Sequence, residues 1–484
     1  NDGIVVTDCG AIDFMISNHK WNHSDGRKYN RSEVAAATLS AGTDLNCGTA
    51  YSMLPQALKE NLLNPSDIDL SVRRQLLGFM RLGLFQDTQT DRLDWRRNIS
   101  MDVVDSSEHR DLALRIATES VIVLKNHDEL LPLGGYGMAN FSSSSSPRPM
   151  KLAVIGPNAN RTLTLTSNYA GCKDAAGGPI LSTCTFVNPL QGIRNVAKSL
   201  NHLDDDVEYA TGCDIDTDRV DGFEEAVSVA KDVDVVILVL GLITCQETGD
   251  QCIEAEARDR STGSNPPLDF GTALPGKQEL LLETLATSTN TSIVVVIESG
   301  SAVSVPWAKS SDRISAIVQH FYSGVLGGEA LAQVLTGLQA PSGRLPLMIP
   351  YDESSLPKDY LDQSMTATPG RTHRYFKGDP LFRFGFGMEY STFDLAAPRV
   401  EIANNGELAY LTVNVTNRGE YVLNASKYVV NVFASPTQES SLVEMLVGFS
   451  KITLNVGEMR EVRVEIPIRR FALSSETART FELR

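Results

Sequence analysis

The sequence predicts a multidomain α/β protein that ends in an antiparallel β-sandwich. Three observations carry this. The chain has 484 residues, room for about three domains at roughly 150 residues each. Strand-sized apolar runs such as 235–242 and 293–297 alternate with helix-period segments, the pattern of parallel α/β folds whose strands are buried on both faces. Over the last ~100 residues the period changes to two, as it does in sandwiches.

Taken in order, Gly3-Ile4-Val5-Val6 reads as a short strand running into Thr7 and Asp8. A helix follows over 32–41, with Val34, Ala37, Thr38 and Ala41 on one face and Gly42 as its stop. Residues 43–45 read as a second strand and 67–79 as a second helix. Two strands with helices fit either the last part of a (β/α)8 barrel or an ordinary βαβ unit. A helix over 107–118, capped by Asp105 or Ser106, feeds a strand at 121–124. The Ser-rich stretch 140–149 reads as loop or linker. Strands are then legible at 152–155, 233–240, 292–297, 316–320 and 345–349, and helices at 276–286 and 327–335. Near the end, Leu411, Val413 and Val415 alternate with polar neighbours, as do Val462, Val464 and Ile466. Asn417-Arg418-Gly419 and Asn455-Val456-Gly457 supply turns.

The chain is 42% hydrophobic and 21% charged, with a formal net charge of −17. Such an acidic surface without a basic block argues against a nucleic-acid partner. No apolar run is long enough to span a bilayer, which argues against a membrane partner. Asn-x-Ser/Thr acceptors at Asn22, Asn30, Asn98, Asn140, Asn160, Asn290, Asn414 and Asn424 fit a secreted glycoprotein. Seven cysteines allow up to three disulfides, with close pairs at Cys172/Cys184 and Cys245/Cys252 and the seventh free or paired elsewhere. The sequence opens at Asn1, inside a strand and without a signal peptide. The expectation is a fragment whose N-terminal portion, including a signal peptide, is missing.

Two places could carry chemistry. Asp8 stands where a strand ends and a loop begins, the position of reactive residues in parallel α/β folds, with small Cys9 and Gly10 beside it. A helix cap or loop carboxylate is the plainer alternative. Glu254, Glu256 and Asp259 lie in a long polar segment, where Arg258 and Arg260 could instead make them a salt-bridged loop. His19 and His23 are four apart, but no third metal ligand is evident and a surface pair is the simpler reading. No dinucleotide, P-loop or nucleophile-elbow motif is present. What remains is carboxylate chemistry without cofactor or metal. Two carboxylates suffice for glycoside hydrolysis if one attacks and the other holds a proton.

At this point a family resemblance is visible. Val6-Thr-Asp-Cys-Gly-Ala-Ile12 resembles the nucleophile segment of glycoside hydrolase family 3, and Ser40-Ala-Gly-Thr-Asp-Leu-Asn-Cys-Gly48 resembles the segment one strand later. Glu119–Asn126 with Leu131–Leu133, Ala153–Asn158, Asn168–Gly171, Glu254–Arg260, Leu274–Gln278, Pro341–Pro346 and Phe384–Phe393 resemble further landmarks in the family's order. The resemblance implies a C-terminal remnant of a (β/α)8 barrel over 1–90, a linker over 91–150 and an α/β sandwich domain over 151–350. A connecting segment over 351–393 and a fibronectin-III-like β-sandwich over 394–484 would follow. It implies Asp8 as nucleophile and Glu256 as acid/base, with Glu254 the alternative, on different domains and facing one cleft.

Cys9, where the glucosidase branch often has Trp, resembles the β-xylosidase branch, and Cys47 and Gly48 agree. The implied activity is a retaining exo-acting β-glycosidase, a β-D-xylosidase with α-L-arabinofuranosidase as a further possibility, acting on an oligosaccharide or an aryl or alkyl glycoside. A β-glucosidase of the same family and a non-catalytic carbohydrate-binding homologue are the alternatives. Because the family's sugar-gripping Lys-His pair, Arg and Asp lie before the nucleophile strand, the chain by itself is expected to be poorly stable and inactive. Tyr322–Gly328 departs from the family's Pro-Gly motif. The oligomeric state is not legible.

Overall fold

A computed structural model describes residues 3–17, 21–23, 26–85, 99–133, 149–165, 185–200, 203, 206–243, 271–357, 362–403, 406–419, 425–436, 442–474 and 481–483. The chain divides into two compact units, Asn1–Val104 and Asp105–Arg484.

The first unit carries helices α1 (Ala11–Ser17), α2 (Arg31–Ser40), α3 (Leu54–Lys59) and α4 (Pro65–Arg81). The strands expected at 3–6 and 43–45 contract to one parallel bridge, Val6 to Leu45. Alanine-rich α2 starts where expected because Asn30 caps it. Its side chain accepts from the Glu33 N–H at 2.9 Å and Glu33 returns the bond to the Asn30 N–H at 2.8 Å. Proline at N1 and Asp67, which accepts from the Asn64 N–H, start α4. Two small apolar clusters form, one on Ala36, Leu39, Ala57 and Leu63, the other on Ile12, Val34 and Ala50. Of α4, only Ser71 is buried, and Leu70, Leu76, Leu77 and Met80 are exposed.

The second unit is built on a six-stranded sheet. Its strands are β1 (Ile122–Asn126), β2 (Leu152–Ile155), β3 (Glu208–Ala210), β4 (Val235–Gly241), β5 (Ser292–Glu298) and β6 (Ile314–Gln319), in the order β1-β6-β5-β4-β2-β3. All neighbours run parallel except β1, which pairs antiparallel with β6. The stretch 91–150, expected as a linker, therefore supplies helix α5 (Ser107–Ser120) and one of the two edge strands of this sheet, β1. The apolar Ile122-Val123-Leu124 run is buried there.

Residues of β4 alternate between two cores. Val236, Leu238 and Leu240 face one, with α7 (Phe223–Lys231) and α8 (Gln278–Ser288); Val235, Ile237 and Val239 face the other, with α6 (Pro189–Ala197) and α10 (Gly327–Leu335). Helix α8 begins two residues later than expected, after Pro275-Gly276, and the short α9 (Pro306–Ser310) precedes β6. Residues 345–349 do not enter the sheet as expected. They bond instead to 382–386, through Leu345 N–H to the Phe386 carbonyl at 2.8 Å and Ile349 N–H to the Phe382 carbonyl at 2.9 Å. Pro346 and Pro350 cannot donate, which limits this run to isolated pairing.

The C-terminal part is antiparallel. Strand β9 (Leu408–Asn417) pairs with β7 (Phe393–Leu395), β8 (Arg399–Ile402) and β12 (Met459–Pro467), and β10 (Ser426–Ala434) pairs with β11 (Met445–Leu454). The alternating residues Val413, Val415, Val430, Val432, Val447, Val462 and Val464 from both sheets share one core. The predicted turn at 455–457 is present: Gly457 takes φ +76° and its N–H donates to the Asn417 carbonyl at 2.9 Å. Among the described residues no helix is long and apolar enough to cross a membrane.

Candidate active site

In the first unit, the strand bearing Asp8 is held by its neighbour. Thr7 N–H donates to the Leu45 carbonyl at 3.0 Å, Leu45 N–H to the Val5 carbonyl at 3.1 Å, and Gly10 N–H to the Cys47 carbonyl at 2.7 Å. Beneath this ladder Asp44, 2% exposed, accepts from the Val5 N–H and from Arg74 Nη1, both at 3.0 Å. Gln75 Nε2 donates to the Asp44 carbonyl at 2.7 Å. Burial would raise the Asp44 pKa, but the Val5 N–H and the Arg74 guanidinium outweigh it and hold it below its ordinary value.

One disulfide joins Cys9 to Cys47. It ties the residue after Asp8 to the end of the neighbouring strand. Asp8 itself is exposed, and its Oδ1 accepts from the Cys9 N–H at 2.9 Å. The path leaves little room nearby. A Cβ at Gly48, whose φ is +152°, would meet Asp13 Oδ2 at 3.1 Å. Asp13 receives Arg31 Nη2 at 2.6 Å and the Thr49 N–H at 3.3 Å, which fixes α1 and α2 around the loop. A carboxylate presented this way, on a short, cross-linked loop and open to solvent, can attack an electrophilic carbon.

Glu254 and Glu256 fall in 244–270, outside the described residues. The chain leading to them is described within the second unit. Gln278, fully buried, brackets Gly241: its Oε1 accepts the Gly241 N–H at 2.8 Å while its Nε2 donates to the Gly241 and Ile215 carbonyls at 2.9 Å each. Asn158 Nδ2 donates to the Leu242 carbonyl at 3.1 Å, and the Leu242 N–H to the Glu298 carbonyl at 2.8 Å. Residues up to Ile243 therefore end at the C-terminal edge of β4, the edge where parallel sheets carry their sites.

That edge also holds a pair that residue-by-residue reading passes over. Glu298 and His320 are both fully buried, with Oε1 and Nδ1 3.0 Å apart. His320 Nε2 lies 3.0 Å from the Gly327 carbonyl and 2.9 Å from Ser323 Oγ. Burial pushes the Glu298 pKa up, and His320 only partly offsets this. The signal was a carboxylate at the end of an otherwise apolar strand, but its partner lies 22 residues away.

The cysteine expectations resolve in part. Cys172/Cys184 and Cys245/Cys252 lie outside the described residues, and Cys9–Cys47 was not among the pairs that spacing suggested. Cys213 is free and buried, its thiol pushed up to about 12 by burial and then by Asp214, so it is unreactive. His19 is outside the described residues, and His23 stacks on Tyr29 at 3.5 Å and faces Glu33 at 3.4 Å. Among the described residues no group of three or more His, Cys, Asp or Glu could hold a metal.

Residues 121–390 match the pattern described as the glycosyl hydrolase family 3 C-terminal domain. The chain belongs to glycoside hydrolase family 3. Within the family, beta-D-xylosidase 1 of Arabidopsis thaliana is 31% identical over 444 residues, which cover 89% of this chain and 49% of that protein. Beta-xylosidase/alpha-L-arabinofuranosidase 1 of Medicago sativa subsp. varia is 28% identical over 500 residues, covering 96% of this chain and 57% of that protein. Among solved structures, a GH3 exo-beta-xylosidase in complex with a xylobiose aziridine activity-based probe superposes with a TM-score of 0.76 at 29% identity, covering 98% of this chain and 58% of that one. The family 3 chain thus spans about half the length of the curated relatives it matches. Two of the motifs that carried the resemblance are joined by an ion pair, Arg344 in 341–346 with Glu389 in 384–393.

Proposed function

We propose that this family 3 protein is a retaining exo-acting β-glycosidase that removes terminal sugars from the non-reducing ends of cell-wall xylan oligosaccharides. The preferred sugar is β-D-xylose, with α-L-arabinofuranose a further candidate. The observation that carries the reading is Asp8: an exposed carboxylate at the end of a parallel-bridged strand, cross-linked to its neighbour by Cys9–Cys47. Asp8 attacks the anomeric carbon while Glu256, with Glu254 the alternative, gives its proton to the departing glycosidic oxygen. The glycosyl ester on Asp8 is then opened by water that the same glutamate deprotonates. Neither a metal nor a cofactor enters this scheme.

The reading includes an extracellular location for the protein. It also takes 1–90 as the C-terminal part of a (β/α)8 barrel and 394–484 as a fibronectin-III-like module. The parallel Val6–Leu45 bridge with its alternating helices supports the first, and the two antiparallel sheets on one core support the second. The β-xylosidase names of the relatives and a disulfide in place of a large aromatic beside Asp8 favour xylose over glucose.

Because the chain by itself is expected to be inactive, the test is turnover of aryl β-D-xyloside, β-D-glucoside and α-L-arabinofuranoside by the protein carrying the further length its relatives have, and by Asp8→Asn in that protein. The expected result is highest kcat/KM on the xyloside and a loss of about 10³-fold or more in the variant, with sugar binding retained. Equal activity in the variant, or a preference for the glucoside, overturns the proposal.

A further inference from the structure

Four of the Asn-x-Ser/Thr acceptors have both their asparagine and their hydroxyl residue among the described residues: Asn30, Asn160, Asn290 and Asn414. The tertiary structure separates them. Asn30 uses its side-chain oxygen to cap α2, accepting from the Glu33 N–H at 2.9 Å and from Ser32 Oγ at 2.7 Å, and Ser32, the hydroxyl of its own acceptor, is 3% exposed. Asn160 accepts from Asn188 Nδ2 at 3.0 Å and so steadies the residue that caps α6. Asn414 lies half-buried inside β9, opposite Glu461 of β12.

Asn290 shares its exposure with Asn30 and Asn160 but differs from all three in place: it lies on the short turn between α8 and β5. Its neighbours hold the turn rather than Asn290 itself: Thr291 Oγ1 donates to the Ala230 carbonyl at 2.6 Å, and Arg313 Nη2 donates to the Thr289 carbonyl. The turn borders a polar depression with Lys231, Asp234 and Thr287 on its rim, a surface suited to the first sugar of a glycan.

Asn290 also sits at the harmless end of the sheet. It precedes the first residue of β5, whereas the chain departs toward 244–270 beside Glu298, the last residue of that strand. Seven residues of strand separate the two edges by about 20 Å. A glycan on Asn290 would leave the C-terminal edge open.

We infer that Asn290 is an N-glycan attachment site of this protein and that Asn30, Asn160 and Asn414 stay bare. The co-reactant is a lipid-pyrophosphate-linked oligosaccharide. A bond forms between Asn290 Nδ2 and the donor's anomeric carbon, the bond from that carbon to the pyrophosphate oxygen breaks, and the lipid pyrophosphate leaves with the electron pair as the amide yields a proton.

The inference draws on the extracellular reading for its natural setting, so its test supplies entry to the secretory pathway separately. The chain is secreted from a eukaryotic host behind the host's own leader. Its peptides are then treated with a peptide-N-glycosidase in heavy-oxygen water, which tags each formerly glycosylated Asn as Asp. The expected result is a tag at Asn290 and none at Asn30, Asn160 or Asn414, with Asn290→Gln losing one glycan's worth of gel mobility. An untagged Asn290 in the secreted protein, or tags on Asn30 and Asn414 at a comparable level, overturns the site and leaves the location reading untouched.

Discussion

The two compact units hold their strands in different ways. In the second, β4 is buried along its whole length and its side chains alternate between two extensive apolar cores. In the first, the strand that presents Asp8 makes one bridge, and Val5 and Val6 beside it are exposed. What positions it is a set of specific ties: the Cys9–Cys47 disulfide, the Asp44 carboxylate bonded to Val5 and Arg74, and the Asp13–Arg31–Thr49 group. A strand end can thus be fixed by burial or by a few directional contacts. The second route leaves Leu70, Leu77 and Met80 of α4 exposed.

The comparison can be broken most sharply at the disulfide. Replacing Cys9 and Cys47 together by Ser opens a loop with a sequence separation of 38, and chain-entropy reasoning puts the loss at about 4 kcal/mol. Hydrogen exchange should show that loss in the first unit and no change in the strands of the second. A loss shared by both units would mean that they unfold together.

A smaller effect is expected from paired apolar truncations. Leu238→Ala in β4 removes a fully buried side chain and should lower the unfolding free energy by about 3 kcal/mol. Leu76→Ala, at a side chain 45% exposed, should stay within about 0.5 kcal/mol. Denaturant titration of the two variants decides it, and equal losses would show that α4 is covered in solution.

The smallest effect is electrostatic. Because burial raises the Glu298 pKa above its ordinary 4.5, the folded state keeps a proton that the unfolded chain has released. The stability tied to Glu298 is therefore complete below that ordinary value and declines as pH rises through the folded one. The unfolding free energy of the native protein, relative to Glu298→Gln, should fall with rising pH across this window. A difference that is flat in pH, or that grows, contradicts the assignment.

Much of the second unit was legible because its signals are local. The run 152–155 is strand β2 and 327–335 is α10, to the residue. Continuous Val and Ile runs have no other comfortable place than a sheet covered on both faces. The same logic misread 345–349, where apolar residues alternate but prolines remove the donors a ladder requires. In the first unit α2 and α4 were legible from their period, α1 and α3 were not, and the strands came out as a single bridge. Asp8 was singled out from its expected position at a strand end, and the structure leaves it exposed just after the Val6–Leu45 bridge. The disulfide beside it was not, since spacing favours close pairs and says nothing of two cysteines on neighbouring strands.

The sequence by itself determined the apolar strands β2, β4, β5 and β6, helices such as α2, α4, α5 and α10, and the family of the chain, because periodicity and motifs are written in neighbouring residues. Only the tertiary structure decided that Cys9 meets Cys47, that Asp44 supports Val5 and that Glu298 faces His320. Each of these joins or buries residues far apart in the chain, and packing sets those distances.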